Sequence, residues 1–307
     1  MSRPKRVSVF SRLLESAKDD VVFPRRRTVT VLGSHMAFIE EGRGRPVLFI
    51  HGGIGSAVMW RRQIAHISQN ARCIALDLIG TGESDRLLPS SRESYQPEVH
   101  LSYVESFLEV LDIHEPLILV LHGWASMIGF SFAQRHAGRV AGICHMESIT
   151  QPLDGADLDP MLLETFERSR GPDGERFVRD TDEYFDLAVK RQFVHPPGRI
   201  VVEEFRRTLG AGNLRQALHT GLNSVPIDKE PASTHAFVET YAQWLRQSDI
   251  PKLLILGEPG YLLVGKLALE AEALPNQTVV RVQGAHLLPE DSPDGVGLLL
   301  ARWIDSL

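Results

Sequence analysis

The chain has 307 residues but only two cysteines, Cys73 and Cys144, and both lie inside apolar runs. Two isolated thiols argue against a disulfide framework or a cysteine-based metal site, and they favour a reducing compartment. No apolar run approaches the ~18 residues of a membrane span, and no secretory h-region follows the basic N-terminus. The net charge of -6 argues against general nucleic-acid binding. We therefore expect a soluble, cytoplasmic protein that acts on a small molecule without a cofactor or metal.

The composition is that of an ordinary globular protein, with 43% hydrophobic and 23% charged residues. Residues 1–27 have eight lysines and arginines but only three acidic residues. We predict that residues 1–24 form an extension ahead of the folded core. The sequence leaves open what this basic segment does and whether the chain forms a homo-oligomer.

Apolar runs of strand length alternate with helical patterns along most of the chain. Several runs are continuous rather than alternating, which is typical of strands buried on both faces of a parallel sheet. The pattern predicts a doubly wound α/β fold. The predicted strands lie at 28–32, 36–40, 46–50, 72–76, 117–121, 140–146, 252–256 and 278–282, and the helices at 59–68, 100–111, 125–136 and 264–273.

The alternation stops between residues 150 and 249, where charge, proline and glycine increase and no strand pattern is evident. We interpret this segment as a helical cap inserted into a core of residues 25–149 and 250–307. Active sites of such sheets lie at the carboxyl ends of the strands, so the residues that follow the strands are the candidates for chemistry.

One of these strand ends lacks the side chain that a catalytic turn would need. The run LVLHGWAS passes directly into an amphipathic helix, and sharp strand-to-helix turns of this kind carry the nucleophile in α/β-hydrolases. The central position of the small-x-nucleophile-x-small pattern is Gly123. The sequence therefore has no nucleophile where one is expected.

Other strand ends do carry candidate groups. His286 lies in a glycine-containing loop after the last strand, where a general base near neutral pH is well placed. Two acids follow strands and are candidates to orient it, Glu147 and Glu258. Gly53, in the His-Gly-Gly loop after the third strand, is a candidate backbone donor to an oxyanion, or else part of a tight turn.

Together these segments resemble the haloalkane dehalogenases and Renilla-type luciferases, a branch of the α/β-hydrolases. The resemblance covers residues 28–306 and is carried by an ordered set of motifs, of which ALDLIGTGESD is the most specific, because the family has an almost identical DLIGxGxSD segment. The other motifs are VLFIHGGIGSAVMWR, LVLHGWASMIGFSFAQRH, HMESI, SVPIDKEP, LGEPG and QGAHLLPEDSPD.

The resemblance implies a role for several residues. His286 matches the catalytic histidine, and Glu147 matches the acid that orients it in the luciferase branch. Trp124 matches the tryptophan whose backbone N–H helps to form the anion hole and whose indole N–H binds halide.

The chain also departs from the family pattern. Gly123 stands where the family has its aspartate nucleophile (HDWG there, HGWA here), and Gly53 stands where dehalogenases have a halide-binding asparagine. Gly221-Leu222 replaces the usual Trp-Pro pair of the cap. An engineered substitution could account for Gly123 but not for the other differences, which include Ala125, so natural divergence is the preferred explanation. Without a carboxylate at residue 123, an alkyl-enzyme ester cannot form there, and ordinary haloalkane dehalogenation is not expected.

Three functions are compatible with these residues. The first is an enzyme in which His286 and Glu147 perform acid–base chemistry without a covalent intermediate, on an apolar, carbonyl-containing substrate, and with Gly53 and Trp124 as backbone donors. The second is a hydrolase with a relocated nucleophile at Ser126, Ser56 or Asp77. The third is a non-catalytic protein whose cap binds an apolar ligand, with candidate lining residues Phe166, Phe177, Tyr184, Phe185, Phe193 and Phe205.

Overall fold

A computed structural model describes residues 23–307, which contain an eight-stranded sheet with helices on both faces. The predicted extension at residues 1–24 therefore lies almost entirely outside the described residues. The strands are β1 (Arg27–Val31), β2 (Ser34–Glu41), β3 (Arg45–Ile50), β4 (Ala71–Leu76), β5 (Leu117–His122), β6 (Val140–Met146), β7 (Lys252–Pro259) and β8 (Gln277–Gly284).

The strand order is β1-β2-β4-β3-β5-β6-β7-β8. β2 pairs antiparallel with both β1 and β4, whereas β3 to β8 are mutually parallel. This topology confirms the predicted mostly parallel, doubly wound sheet. The parallel strands end at the same edge of the sheet, and their carboxyl ends bring His51, His122 and Glu147 together there.

The continuous apolar runs are buried on both faces of the sheet, as the sequence predicted. In β3, Leu48 and Ile50 belong to the core on one face, whereas Val47 and Phe49 belong to the core on the other. Because successive side chains of a strand point to opposite faces, a strand covered on both sides needs apolar residues at every position.

The helices are α1 (Arg61–Ile67), α2 (Pro97–Val110), α3 (Ser126–Arg135), α4 (Pro160–Arg170), α5 (Glu183–Arg191), α6 (Arg199–Leu209), α7 (Gln216–Asn223), α8 (Ala232–Leu245), α9 (Gly265–Glu272), α10 (Leu288–Asp291) and α11 (Pro293–Asp305). A π-helical turn, Arg176–Asp180, precedes α5. In residues 23–307, no helix has both the length and the apolar character that crossing a membrane requires.

The segment between β6 and β7 is helical, and its helices differ in where they pack. Residues of α4, α5 and α7 line a cavity at the carboxyl edge of the sheet. By contrast, α8 packs against α3 of the core layer. The predicted cap of residues 150–249 thus includes a helix that supports the core rather than covering the site.

Candidate active site

A hydrogen-bonded His–Glu pair lies at the carboxyl edge of the sheet. His286 follows β8 and Glu147 follows β6, and the His286 Nδ1 to Glu147 Oε2 distance is 3.0 Å. Glu147 is fully buried with φ of +49°, and its Oε2 also accepts the backbone N–H of Leu262 at 2.6 Å. Because a carboxylate only accepts hydrogen bonds, Nδ1 must donate. The Nε2 lone pair of His286 is therefore left to accept a proton.

Gly123 lies directly opposite that Nε2 atom. It follows β5 in a turn with φ of +56°, a conformation that glycine adopts without the steric cost of a side chain. A Cβ atom built at this position would lie 3.2 Å from His286 Nε2. A side chain at residue 123 would therefore contact His286, and within residues 23–307 its Cβ would meet no other residue within 4 Å apart from its own chain neighbours.

The loop after β3 packs closely on this turn. A Cβ at Gly52 would lie 2.5 Å from the carbonyl oxygen of His122 and 3.1 Å from the backbone nitrogen of Trp124. The next residue, Gly53, has φ of +55°, and a Cβ added there would meet no atom within 4 Å. Within residues 23–307 the N–H of Gly53 makes no hydrogen bond. Gly53 and Trp124 both line the same cavity as His286.

The indole of Trp124 is bonded to the cap. Its Nε1–H donates to Ser224 Oγ at 2.9 Å, and the Ser224 hydroxyl donates to the carbonyl oxygen of Gly221, also at 2.9 Å. The indole N–H therefore has a protein acceptor at the end of α7. A Cβ at Gly221 would meet the indole ring at an ordinary van der Waals distance of 3.6 Å, so this contact does not require glycine at residue 221.

The cavity has a volume of about 90 Å³. This is room for a small molecule, since a cavity that holds one water needs ~10–15 Å³. The lining residues are His51, Gly52, Gly53, Leu78, Thr81, His100, Trp124, Ile149, Leu162, Thr165, Phe166, Tyr184, Gln192, Ala217, Leu218, Gly221, Leu222, Val225, Tyr261, Leu262 and His286. Of the six cap aromatics named from the sequence, Phe166 and Tyr184 line the cavity, and the other four pack in the core.

Three histidines near the turn are held neutral by burial. Burial lowers the pKa of His51, His100 and His122 to about 3. His122 Nε2 donates to the carbonyl oxygen of His286 at 2.8 Å, so it positions the loop that carries His286. These histidines were not predicted from the sequence, although His51 and His122 each directly precede a glycine of a candidate loop.

The three alternative nucleophiles named from the sequence lie outside the cavity lining. The Ser126 hydroxyl donates to the carbonyl oxygen of Gly123 at 2.7 Å and accepts the Ile149 N–H at 2.8 Å. Asp77 is buried and accepts backbone N–H groups at 2.6 and 2.9 Å, with Arg26 at 3.1 Å from its carboxylate. Ser56 is fully buried. None of these three residues, Ser126, Asp77 and Ser56, lines the cavity.

The structure does not bring Glu258 to His286. Glu258 lies within β7, not after it, and its side chain is exposed. Its carboxylate lies 3.7 Å from Arg281 and accepts a hydrogen bond from Gln283 at 3.4 Å. The strand continues to Pro259 because β7 and β8 stay paired in register to that residue. Of the two candidate acids, only Glu147 contacts the histidine.

Comparisons with known proteins agree with the fold. Residues 45–186 match a family described as having the alpha/beta hydrolase fold. The chain is 37% identical to a haloalkane dehalogenase of Sphingobium indicum, over 93% of this chain and 97% of the relative. It is 35% identical to one of Mycolicibacterium smegmatis, over 89% and 88%. The crystal structure of the haloalkane dehalogenase DatA from Agrobacterium tumefaciens C58 has a TM-score of 0.85 at 29% identity, over 92% of this chain and 96% of that one.

Proposed function

The chain belongs to the haloalkane dehalogenase family of α/β-hydrolases, and from this premise we propose that it is an enzyme that performs acid–base chemistry without a covalent intermediate. His286, oriented by Glu147, accepts or relays a proton. The backbone N–H groups of Gly53 and Trp124 stabilise an oxyanion or enolate. The substrate is a small, largely apolar molecule with a carbonyl group.

One observation carries this proposal. The proton-accepting Nε2 of His286 faces a position without a side chain, because a Cβ at Gly123 would lie only 3.2 Å from it. A substrate atom can therefore approach the base directly. A purely structural or binding role would not require a buried carboxylate that orients a histidine toward an open space.

The hydrolysis of haloalkanes, which gives the relatives their name, does not suit this arrangement. That reaction as the family performs it needs a carboxylate at residue 123 to displace halide, and the residue is glycine. A leaving halide would also need donors, yet the Trp124 indole N–H already donates to Ser224, and Gly53 has no side chain.

Several reactions fit a base beside an oxyanion donor: elimination, C–C bond cleavage, cyclisation, isomerisation and attack by a water that His286 activates. A general base contributes ~10²–10⁴-fold to the rate, and a backbone oxyanion donor a further ~10²–10³-fold. Both contributions are available here without any covalent step.

The proposal is tested by screening small carbonyl compounds, including aryl esters, β-diketones and β-hydroxy ketones, for turnover. We expect His286→Ala to lower kcat by about 10²–10⁴-fold, whereas His114→Ala, at an exposed histidine, serves as the matched control and keeps full activity. Intact-mass spectrometry of the quenched reaction should show no adduct. Turnover that survives His286→Ala would remove the proposal. An adduct on Ser126, Ser56 or Asp77 would establish a relocated nucleophile instead, and tight binding without any chemical change would indicate a binding protein.

Halide release provides an independent test. With 1,2-dibromoethane we expect no bromide release at the ~1–10³ s⁻¹ usual for enzymes. Bromide release in that range would contradict the proposed absence of a covalent route at Gly123.

A further inference from the structure

Three polar side chains form a cluster on one wall of a largely apolar cavity. Tyr184 lies on α5, Gln192 directly follows that helix, and Tyr261 follows β7, and all three line the cavity together with His286. The wall around them consists largely of aliphatic side chains such as Leu162 and Leu262. We refer to Tyr184, Gln192 and Tyr261 as the Tyr–Gln–Tyr cluster.

The cluster lies beside the proposed base. The backbone carbonyl of Gln192 accepts the N–H groups of His286 and Leu287, each at 3.0 Å. The ring of Tyr261 lies 5.4 Å from the His286 ring, measured between centroids, and its backbone N–H points to Glu147 Oε1 at 3.4 Å. A group bound by the cluster would therefore belong to the same molecule that reacts at His286.

The side chain of Gln192 is buried but incompletely paired. It is 7% exposed, and in the part of the chain that the structure describes its Oε1 atom has no hydrogen-bond partner. A buried polar atom without a partner lowers stability, and an aliphatic side chain would avoid that cost. An unpaired amide oxygen that lines a cavity beside a base indicates a partner that arrives with the ligand.

The two tyrosines supply the complementary hydrogen-bonding groups. Burial raises the pKa of Tyr184 and of Tyr261, and the neighbouring Tyr261 phenol raises the pKa of Tyr184 further. Both phenols therefore stay protonated near neutral pH and can donate a hydrogen bond. The cluster thus presents donors and an acceptor within one small region and carries no charge.

A hydroxyl group matches this set, because it both donates and accepts a hydrogen bond. We propose that the Tyr–Gln–Tyr cluster binds a hydroxyl group of the substrate, so that the substrate is a hydroxylated carbonyl compound held at two polar points in an apolar cavity. This inference rests on the proposed function for the carbonyl end. The inference of a hydroxyl group at the other end of the substrate rests on Gln192 and the two tyrosines alone.

Binding of matched ligand pairs tests the inference. The probes are C5–C10 methyl ketones and their ω-hydroxy analogues, with Kd measured by calorimetry or ligand-observed NMR. In the wild-type protein we expect at least one hydroxy ketone to bind about tenfold more tightly than its parent ketone, the effect of one or two neutral hydrogen bonds. Gln192→Leu should abolish this preference without weakening the parent ketone.

The matched control is Gln243→Leu, which alters an exposed glutamine on α8 and should retain the preference. Circular dichroism checks that Gln192→Leu is folded. If it is not, Tyr261→Phe, which removes only a hydroxyl, replaces it and should reduce the preference for the hydroxy ketone. A panel in which no hydroxy ketone binds more tightly than its parent overturns the inference, and so does a preference that survives both substitutions.

The same measurements separate this inference from the proposed function. His286→Ala should keep the hydroxyl preference while it loses turnover. A preference without any turnover in the wild-type protein would support the cluster and count against the acid–base proposal. Turnover that depends on His286, without tighter binding of any hydroxy ketone, would support the acid–base proposal and count against the cluster.

Discussion

The two sides of the cavity differ in the polar side chains that they present to a ligand. On one side, His286 has a buried carboxylate as its partner, and that carboxylate is itself held by backbone N–H groups. On the other side, Gly123 and Gly53 present only backbone, and the indole N–H of Trp124, the residue after Gly123, donates to Ser224.

The difference shows that the proposed base, His286, and residue 123, where the family pattern has its nucleophile, are held by separate parts of this fold. Glu147 and His286 depend on the ends of β6 and β8, whereas residue 123 depends on the end of β5. The turn after β5 keeps its positive φ and its contact with Gly52 without a functional side chain. The scaffold can therefore keep its acid–base pair while the opposite wall changes.

The largest expected effect comes from a substitution on the side of the cavity formed by Glu147 and His286. Glu147→Gln should lower kcat by about 10²–10⁴-fold. Both carboxylate oxygens face backbone donors, Leu262 N–H and Tyr261 N–H, so either orientation of the amide directs its NH₂ group at a donor. The orientation that keeps the hydrogen bond from His286 Nδ1 points the NH₂ group at the Tyr261 N–H, which disfavours it, and the negative charge beside the imidazole is lost in either orientation. The control is Glu258→Gln, which alters the exposed acid on β7, and kcat measured on the same substrate should stay within about twofold. Loss of activity in the control and not in Glu147→Gln would reverse the assignment.

A second experiment adds functional groups to the opposite side of the cavity, where Gly123 and Gly53 lie. Gly123→Asp supplies a carboxylate, Gly53→Asn a side-chain donor, and Ser224→Ala frees the Trp124 indole N–H. We expect the triple variant to release bromide from 1,2-dibromoethane ~10²-fold faster than Gly123→Asp alone, because each donor to a developing anion is worth ~10²–10³-fold. Bromide release is measured with a halide-selective electrode. Equal rates in the single and triple variants would mean that the missing donors do not limit dehalogenation.

The smallest expected effect concerns the neutral histidines around the turn. Their folded-state pKa values, about 3, lie below the unfolded value of 6.5, so between pH 6.5 and 3 the unfolded chain binds more protons. Their contribution is therefore fully present above pH 6.5, and stability falls as the pH drops below it. His100→Phe should reduce the loss of unfolding free energy between pH 7.5 and pH 5 by about 1–2 kcal/mol. Urea unfolding at both pH values checks this, and an unchanged pH dependence would contradict it.

The sheet was predictable from sequence because burial on both faces leaves a direct signal. Val47–Ile50 and Leu117–Leu121 are apolar at every position, and no helix that faces solvent would need that pattern. The turn residues were predictable for a related reason, since a strand, a glycine and an amphipathic helix follow one another within a few positions around Gly123. The C-terminal helix α11 was not predicted.

The cavity wall was less predictable because it depends on packing between distant segments. Tyr184, Gln192 and Tyr261 come from a helix, its end and a loop after β7, and nothing in their spacing indicates that they meet. The Trp124–Ser224 contact joins residues 100 positions apart. Glu258 was named as an alternative acid because the strand predicted at 252–256 ended three residues early. Pairing with β8 continues β7 to Pro259 and leaves the Glu258 side chain exposed.

The carbonyl of Gln192 joins the cap to the loop of the base, since it accepts the N–H groups of both His286 and Leu287. Changes that shift the end of α5 to admit a different substrate must therefore also shift the imidazole. Selection for a new specificity and selection for rate act on the same two hydrogen bonds, so this enzyme's cap and its base are expected to evolve together.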